Sequence, residues 1–406
     1  MTVVDGVGNI VEAEADSGAE QSLGTRFLVF PQPSYVPGYE KPEVVWLAPS
    51  RERIHVGPAD SRMYVIDPVN AKSPYVAPVL PPYAGRVRPA AEPGPDGHFD
   101  HITPSSPAFL STHSYACARR VLDICEGYLG RRMIWFFEPE LSRLEIVPHI
   151  ADWDNAQSGF GFLELGESGT GRSTASFALN FDSVAHEMGH LVLLSELGLF
   201  ERKAANSEFF AYHEAVADFI SLLGLLHFDS AIDRILRRTK GELLIHNELD
   251  RFAELSDEKQ IRSFNNSLRM GDVGEEVHDH SRPFAAALFD CLLEVHQALL
   301  YERGLSDIDP RQYSDLRHQL APMQIENKLH AARGEYETRH FATKAALQEA
   351  RDIVGESLFG SWRYLHPDSL SLRTAAESFL EVADRGRARP FVNQFEDCLR
   401  WRDVLG

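Results

Sequence analysis

The segment from His186 to His190 constrains this chain more than any other, because it carries the pattern H-E-x-x-H. Side chains four residues apart lie on one face of a helix, so His186 and His190 can present imidazole nitrogens to one metal ion. Glu187 then lies beside that metal, where a carboxylate can accept a proton from the water that the metal activates. The pattern arises by chance in roughly one chain in thirty of this length, so its interpretation depends on the rest of the sequence.

A third metal ligand is expected on a neighbouring element, because catalytic zinc sites usually combine three protein ligands with an open position for water. Glu214 and Asp218 are also four residues apart, and both lie on the next predicted helix. Glu214 therefore completes a predicted His-His-Glu set. Asp218 is predicted to accept a hydrogen bond from the other ring nitrogen of His186. Taken alone, the carboxylate pair is also explained by a solvated helix face.

The composition is that of a globular protein and excludes some classes of partner. The chain has 406 residues, 44% of them hydrophobic and 25% charged, which is enough for two or three domains' worth of core. The formal net charge of -20 argues against non-specific binding to nucleic acid and against docking on an anionic membrane. Neither partner is expected, and the oligomeric state is left open.

The cysteines and the N-terminus bear on the compartment. The four cysteines form no C-x-x-C pair, so buried free thiols in a reducing compartment are expected. Residues 1–24 are poor in apolar groups and carry several carboxylates, which predicts a disordered acidic tail and not a signal peptide. No apolar run approaches the length of about eighteen residues that a membrane span requires. A cytoplasmic location is therefore predicted.

Residues 25–180 predict a β-rich N-terminal region with one long helix. Short runs of β-forming residues are separated by Pro and Gly, and they predict strands at 26–30, 44–47, 53–56, 63–66, 132–137, 144–148 and within 154–166. Apolar residues recur at helical spacing from about 106 to 129, and Gly130 ends that helix. Residues 89–97 are rich in Pro and Gly and predict a linker or a long surface loop.

Residues 181–406 predict a mainly helical region that carries the metal site. Besides the two motif helices, helices are predicted at 284–300, starting from Pro283, at 341–358 and at 370–384. The predicted fold class is therefore α+β. It has a β-rich N-terminal half, a central zinc-binding helix, a mainly helical C-terminal half and a cleft between the halves.

Several of these segments resemble the thermolysin-like gluzincin metallopeptidases. Residues 181–190 (FDSVAHEMGH) are similar to the D-x-V-A-H-E-x-x-H helix of that family. Residues 213–218 (HEAVAD) are similar to its N-E-A-x-x-D helix, with His213 in place of Asn. Asn155 and Ala156 resemble the start of the edge strand with which the family binds the substrate backbone. The resemblance covers roughly residues 106 to 390, weakly outside the motifs, and it implies a thermolysin-like fold.

The resemblance also implies a second catalytic side chain. Residues 277–281 (VHDHS) are similar to the family's V-H-x-N-S segment, in which the His stabilises the oxyanion, and His278 matches that position. Asp272 and Asp279 are both possible partners that orient or charge this imidazole. His280 is the alternative donor.

A substrate-binding arginine is also implied, because the family uses one beside the leaving-group side of the scissile bond. Arg251 takes this role by its distance along the chain from His278, and Arg269 is the alternative.

Together these features predict a zinc-dependent metallopeptidase that cleaves a peptide or protein substrate. Zn²⁺ is bound by His186, His190 and Glu214, and Glu187 is the general base. The alternative is a catalytically impaired, zinc-stabilised protein that binds peptides or partners. It is suggested by the lack of a clear match to the family's oxyanion Tyr and by a longer interval between His190 and Glu214. A nucleotide-binding loop at Gly166–Ser173 is a weaker possibility, with Arg172 in place of the usual Lys.

Overall fold

A computed structural model defines the fold. It describes residues 24–69, 72–168, 175–200, 207–244, 247, 249, 251–252, 262–313 and 336–406, together with the short strands at 3–4 and 10–11. Within these residues the protein is a mixed α+β structure, with most of its strands before residue 177 and most of its helices after residue 180.

The strands of the described residues are short and form five sheets. In chain order they are β1 Val3–Val4, β2 Ile10–Val11, β3 Thr25–Val29, β4 Glu43–Leu47, β5 Met63–Val65, β6 Leu144–Val147, β7 Ala156–Gly159, β8 Phe162–Leu165, β9 Glu167–Ser168, β10 Ala175–Ser176, β11 Arg251–Phe252 and β12 Arg262–Ser263. The largest sheet has the strand order β5-β6-β8-β7, in which β5, β6 and β8 are parallel and β7 is an antiparallel edge strand. The other four sheets are antiparallel pairs of strands.

The helices form the larger part of the fold. They are α1 Phe109–Leu129, α2 Phe181–Leu197, α3 Ser207–Leu225, α4 Asp229–Thr239, α5 Val277–Glu302, α6 Tyr336–Ser361, α7 Leu372–Arg385 and α8 Val392–Trp401. Short 3₁₀ turns lie at Phe177–Leu179, Met270–Asp272, Trp362–Tyr364, Pro367–Ser369 and Arg389–Phe391. The α2 helix is central, since it packs against α1, α3 and the edge strand β7.

The α5 helix has the length and apolar composition of a membrane-spanning helix. However, 94% of its most apolar window is buried inside the fold, where it packs against α3, α6 and α8. Its apolar composition is therefore accounted for by the protein core.

Three of the strand predictions are wrong. Residues 132–137 are irregular, because their large apolar side chains fill the core without pairing in a sheet: Trp135 and Phe137 are buried and stack at 5.4 Å. Residues 53–56 contain only an isolated bridge, between His55 and Ala59. The segment 154–166 contains two strands and not one, because Gly161 adopts a φ of 82° in the turn between β7 and β8.

The helix predictions hold better. The first helix ends at Leu129, and Gly130 adopts the left-handed conformation that ends many helices. The α5 helix, however, begins at Val277 and not at Pro283, because the side chain of Glu276 caps it one turn and a half earlier. Pro283 therefore lies inside the helix.

Two other predicted segments need comment. The predicted tail, residues 1–24, lies almost entirely outside the described residues. Residues 89–97 contain no helix and only a bridge residue, Ala91, which is buried and accepts a hydrogen bond from the backbone N–H of Gly57. The loop is therefore joined to the rest of the N-terminal region at Gly57.

Candidate metal centre

Hydrogen bonds hold the N-terminus of α2, which precedes the candidate metal ligands in the chain. Asn180 caps the helix, and its Oδ1 accepts hydrogen bonds from the backbone N–H of Asp182 at 3.0 Å and of Ser183 at 3.5 Å. The Asp182 carboxylate in turn accepts a hydrogen bond from Gln32 Nε2 at 2.9 Å. The second and third turns of α2, which carry the motif residues, therefore begin from a buried and anchored end.

The ligand helices α2 and α3 cross at very short range. A Cβ atom added to Gly189 would lie 2.8 Å from the Cα of Ala217, closer than side-chain carbons come to backbone in proteins. Glycine at this position in the H-E-x-x-H segment therefore allows the two backbones to approach. The approach brings Glu214, one turn before Ala217 on α3, over the two imidazoles of α2.

His186, His190 and Glu214 form a group that could hold a metal ion, with one donor atom from each lying within 4.8 Å of the others. The two Nε2 atoms are 3.0 Å apart. Glu214 Oε2 lies 3.5 Å from His186 Nε2, and Glu214 Oε1 lies 3.5 Å from His190 Nε2. All three residues thus direct donor atoms at one point in space.

The surroundings favour the neutral imidazoles that metal binding requires. Burial lowers the pKa of His190, and the neighbouring His186 lowers it further, against the opposing effect of Glu214. Asp218 Oδ1 lies 2.8 Å from His186 Nδ1. A carboxylate beside Nδ1 leaves Nε2 of the same ring as the atom that faces Glu214.

Glu187 lies on α2 where this helix packs against the edge strand β7. Its carboxylate is buried, and Oε2 accepts a hydrogen bond of 2.9 Å from the Ser158 hydroxyl of the edge strand β7. The predicted substrate-binding residues lie at the start of the same strand. Asn155 precedes it with an exposed side chain and a carbonyl that accepts from the N–H of Gly166, and Ala156 is its first residue.

His278 lies in the first turn of α5 and reaches the metal group. Its Nε2 is 3.4 Å from Glu214 Oε2, and its side chain is 57% exposed. Its Nδ1 is 2.9 Å from Oε1 of Glu276. The orienting partner is therefore Glu276, and the proposed partners Asp272 and Asp279 are not in this position; Asp279 lies 3.5 Å from Arg282 instead.

Tyr212 and His213, which precede Glu214 in the chain, are not part of the donor group. Tyr212 is fully buried, and its hydroxyl accepts a hydrogen bond from Trp362 Nε1 at 3.1 Å. His213 lies nearly parallel to the ring of His190, with the centroids 6.3 Å apart. Burial, assisted by His190, lowers the pKa of His213 to about 3, so this ring is neutral and serves as packing behind His190.

The two candidate arginines have different outcomes. Arg251 is in β11, where its Cα pairs with that of Ser263, and its side chain lies outside the described residues. The guanidinium of Arg269 lies over the ring of Trp401 at 5.1 Å and 3.8 Å from Asp403, so it faces the C-terminal segment. The weaker prediction of a nucleotide loop falls largely on residues 169–174, which also lie outside the described residues.

Sequence reasoning missed Ser158, Glu276 and the cap Asn180. Asn before an apolar helical run is a recognised cap signal and could have been found. Ser158 and Glu276 carry no such signal, because their roles depend on the packing of β7 against α2 and on the true start of α5.

No protein family model matches this chain, and no curated protein matches it in sequence.

Proposed function

We propose that this protein is a zinc-dependent metallopeptidase of the thermolysin-like gluzincin type. The observation that carries the proposal is the spacing of the donor atoms of three side chains. Four ligands at zinc bond lengths of about 2.0–2.1 Å in a tetrahedron are separated by about 3.3 Å. The Nε2 atoms of His186 and His190 are 3.0 Å apart, and each lies 3.5 Å from one of the two carboxylate oxygens of Glu214.

The donor chemistry also supports zinc. Two neutral imidazoles and one carboxylate are a ligand set that zinc uses in hydrolytic sites with a fourth position left for water. Asp218 supplies the carboxylate partner that zinc-bound imidazoles commonly have on the other ring nitrogen. When bound, zinc supplies Lewis acidity, which lowers the pKa of water and polarises a carbonyl group.

The side chains of the protein can carry out the proton transfers of peptide hydrolysis. Glu187 removes a proton from the attacking water as its oxygen bonds to the carbonyl carbon, and later delivers that proton to the leaving nitrogen as the C–N bond breaks. In its protonated form, His278 donates from Nε2 to the oxygen that becomes negatively charged and from Nδ1 to Glu276. Glu276 holds the ring of His278 through Nδ1 while it does so.

The edge strand β7 supplies a place for the substrate backbone. It is the last strand of its sheet, so an extended peptide can add to it through main-chain hydrogen bonds. The strand begins at Ala156, directly after Asn155, and the Ser158 hydroxyl lies at hydrogen-bonding distance of Glu187. A polypeptide lying along β7 is therefore close to the proposed general base.

The test is a Glu187→Gln variant, with metal content and peptide cleavage measured separately. Gln keeps the shape of the side chain but cannot accept the proton, so zinc should remain near one equivalent while cleavage of a mixed peptide library falls by roughly 10²–10⁴-fold. Glu196→Gln is the matched control, because Glu196 lies on the same helix and pairs with Arg131 away from the donor cluster. A Glu187→Gln protein that cleaves peptides at the wild-type rate would disprove the assignment.

A second function, a zinc-stabilised protein that binds peptides without cleaving them, is favoured by one observation. Tyr212 is engaged with Trp362 in the core and so cannot assist His278 at an oxyanion. This alternative predicts zinc in the purified protein, no cleavage by the wild type and peptide binding that Glu187→Gln leaves intact.

A further inference from the structure

The contact between Ser158 and Glu187 links the edge strand to the proposed general base. Ser158 Oγ donates to Glu187 Oε2 at 2.9 Å, and Glu187 is only 8% exposed. A buried carboxylate is held strongly by such a bond, because little water is present to replace it. The position of the Glu187 carboxylate is therefore set partly by a residue on another element.

The hydroxyl itself is fixed from the opposite face of the strand. Successive side chains of a strand alternate between its two faces, so Gln157 lies on the face away from Ser158. Gln157 Nε2 donates to Glu164 Oε2 at 2.7 Å and to the carbonyl of Tyr75 at 3.1 Å. Glu164 is fully buried and is paired with Lys72. Gln157 therefore ties β7 to this buried ion pair on the face of the strand opposite Ser158.

We propose that Ser158 is a positioning residue that holds the Glu187 carboxylate for proton transfer. This inference rests on the proposed peptidase function. Because Oε2 accepts from the Ser158 hydroxyl, one oxygen of the carboxylate is tied to β7, and this sets the orientation in which Glu187 accepts a proton from water. Because Ala156 lies on β7 and Asn155 directly precedes it, this strand would set the position of a bound substrate backbone relative to Glu187.

The decisive experiment compares Ser158→Ala and Ser158→Thr with the wild type. Ala removes the hydroxyl that donates to Glu187. We therefore expect kcat to fall about 10–100-fold, the range typical for loss of a residue that orients a side chain of a metal site, while KM and zinc content stay within a factor of about two. Thr keeps a hydroxyl on a strand position that tolerates β-branching and is only partly buried, so it should restore most of kcat. A matched control is Ser114→Ala, because that hydroxyl bonds only the Leu110 carbonyl within its own helix and should leave kcat unchanged.

A second readout does not depend on turnover. Crystal structures of the same variants should show the Glu187 carboxylate in one orientation in the wild type and Ser158→Thr, and in several orientations in Ser158→Ala. An ordered Glu187 in Ser158→Ala, or an unchanged kcat, would overturn the inference. A raised KM with unchanged kcat would also overturn it, since Ser158 would then bind substrate instead.

These readouts separate the two proposals. If the wild type binds zinc but cleaves no peptide, the peptidase function fails, and the crystal structures still decide whether Ser158 orders Glu187. If the wild type cleaves peptides and Ser158→Ala does so equally well, only the inference about Ser158 fails.

Discussion

Glu276 serves two purposes with one carboxylate. Its Oε2 accepts a hydrogen bond from the backbone N–H of Asp279 at 3.0 Å and so caps α5, while its Oε1 lies 2.9 Å from Nδ1 of His278. These contacts lower the pKa of Glu276, with the bond to His278 as the largest cause, so the group is ionised at neutral pH. The residue that caps α5 therefore also holds the ring of His278.

Substitutions of different length should separate the two purposes. Glu276→Ser keeps a good helix cap but is too short to reach His278, so we expect near-wild-type thermal stability and roughly tenfold lower kcat. Glu276→Ala should lose both. Thermal unfolding followed by circular dichroism and steady-state kinetics would measure the two effects, and equal kcat values for wild type and Glu276→Ser would show that this contact does not support catalysis.

The residues of the site differ in how far the sequence predicts them. The pairing of His186 with His190 follows from helical spacing alone, because a four-residue interval places two side chains together whatever the rest of the fold does. Glu214 is on another helix and reaches these two side chains only through the crossing of α2 and α3. Ser158 reaches Glu187 only because β7 packs against α2, a contact between residues 29 positions apart. No local pattern encodes such a contact, so it could not be predicted.

The crossing of α2 and α3 is the element-level feature on which the donor cluster depends. Gly189→Ala places a Cβ atom 2.8 Å from the Cα of Ala217, a backbone atom that cannot turn aside as a side chain can. The helices must then separate by some tenths of an ångström, which moves Glu214 away from His186 and His190. We expect weaker zinc binding, by about 10-fold or more, and lower stability of the metal-free protein by about 1–3 kcal/mol.

Gly127→Ala is the matched control for this prediction. Gly127 lies inside α1, and a Cβ atom there would meet nothing within 4 Å. Alanine favours a helix interior over glycine by about 1 kcal/mol, so this variant should be equal to or more stable than the wild type, with unchanged zinc affinity. Competition with a zinc chelator measures the zinc affinity of each variant. Equal affinities for Gly189→Ala and Gly127→Ala would argue against a tight crossing of α2 and α3.

Helices and strands were not predicted equally well from the sequence. The α1 helix was placed to within a few residues because its apolar period is long and Gly130 ends it. Residues 132–137 have the composition of a strand, but Trp135 and Phe137 are buried in an irregular segment instead. Short apolar runs satisfy the core in either conformation, so composition alone could not decide between them.

Across the whole molecule, buried histidines lie in several parts of the core and make stability depend on pH. His113, His227 and His296 each have a pKa lowered to about 4, and burial is the largest cause at each. His113 lies on α1 and His296 on α5, while His227 follows the end of α3. These rings are neutral in the folded protein, whereas in the unfolded chain they take up protons near the ordinary histidine pKa of about 6.5.

The unfolded state therefore binds more protons than the folded state between about pH 6.5 and pH 4, and stability falls as the pH is lowered through this window. Each histidine contributes at most about 1.4 kcal/mol per pH unit there, and nothing above pH 7.5. Urea unfolding of chelator-treated protein at pH 7.5, 6.0 and 5.0 measures the slope. His113→Gln can still accept from the N–H of Phe30 or donate to the carbonyl of Ala178, and it should reduce the slope.

His366→Gln is the control, because it makes the same substitution at a side chain that is 71% exposed. It should leave the slope unchanged, so the difference between the two variants isolates the effect of burying an imidazole. Equal slopes for wild type and His113→Gln would mean that His113 takes up its proton in the folded protein as readily as in the unfolded chain. Such a result would require the core around α1 to open to water at a free-energy cost well below that of global unfolding. Hydrogen exchange at the backbone amides of α1 would detect this opening directly.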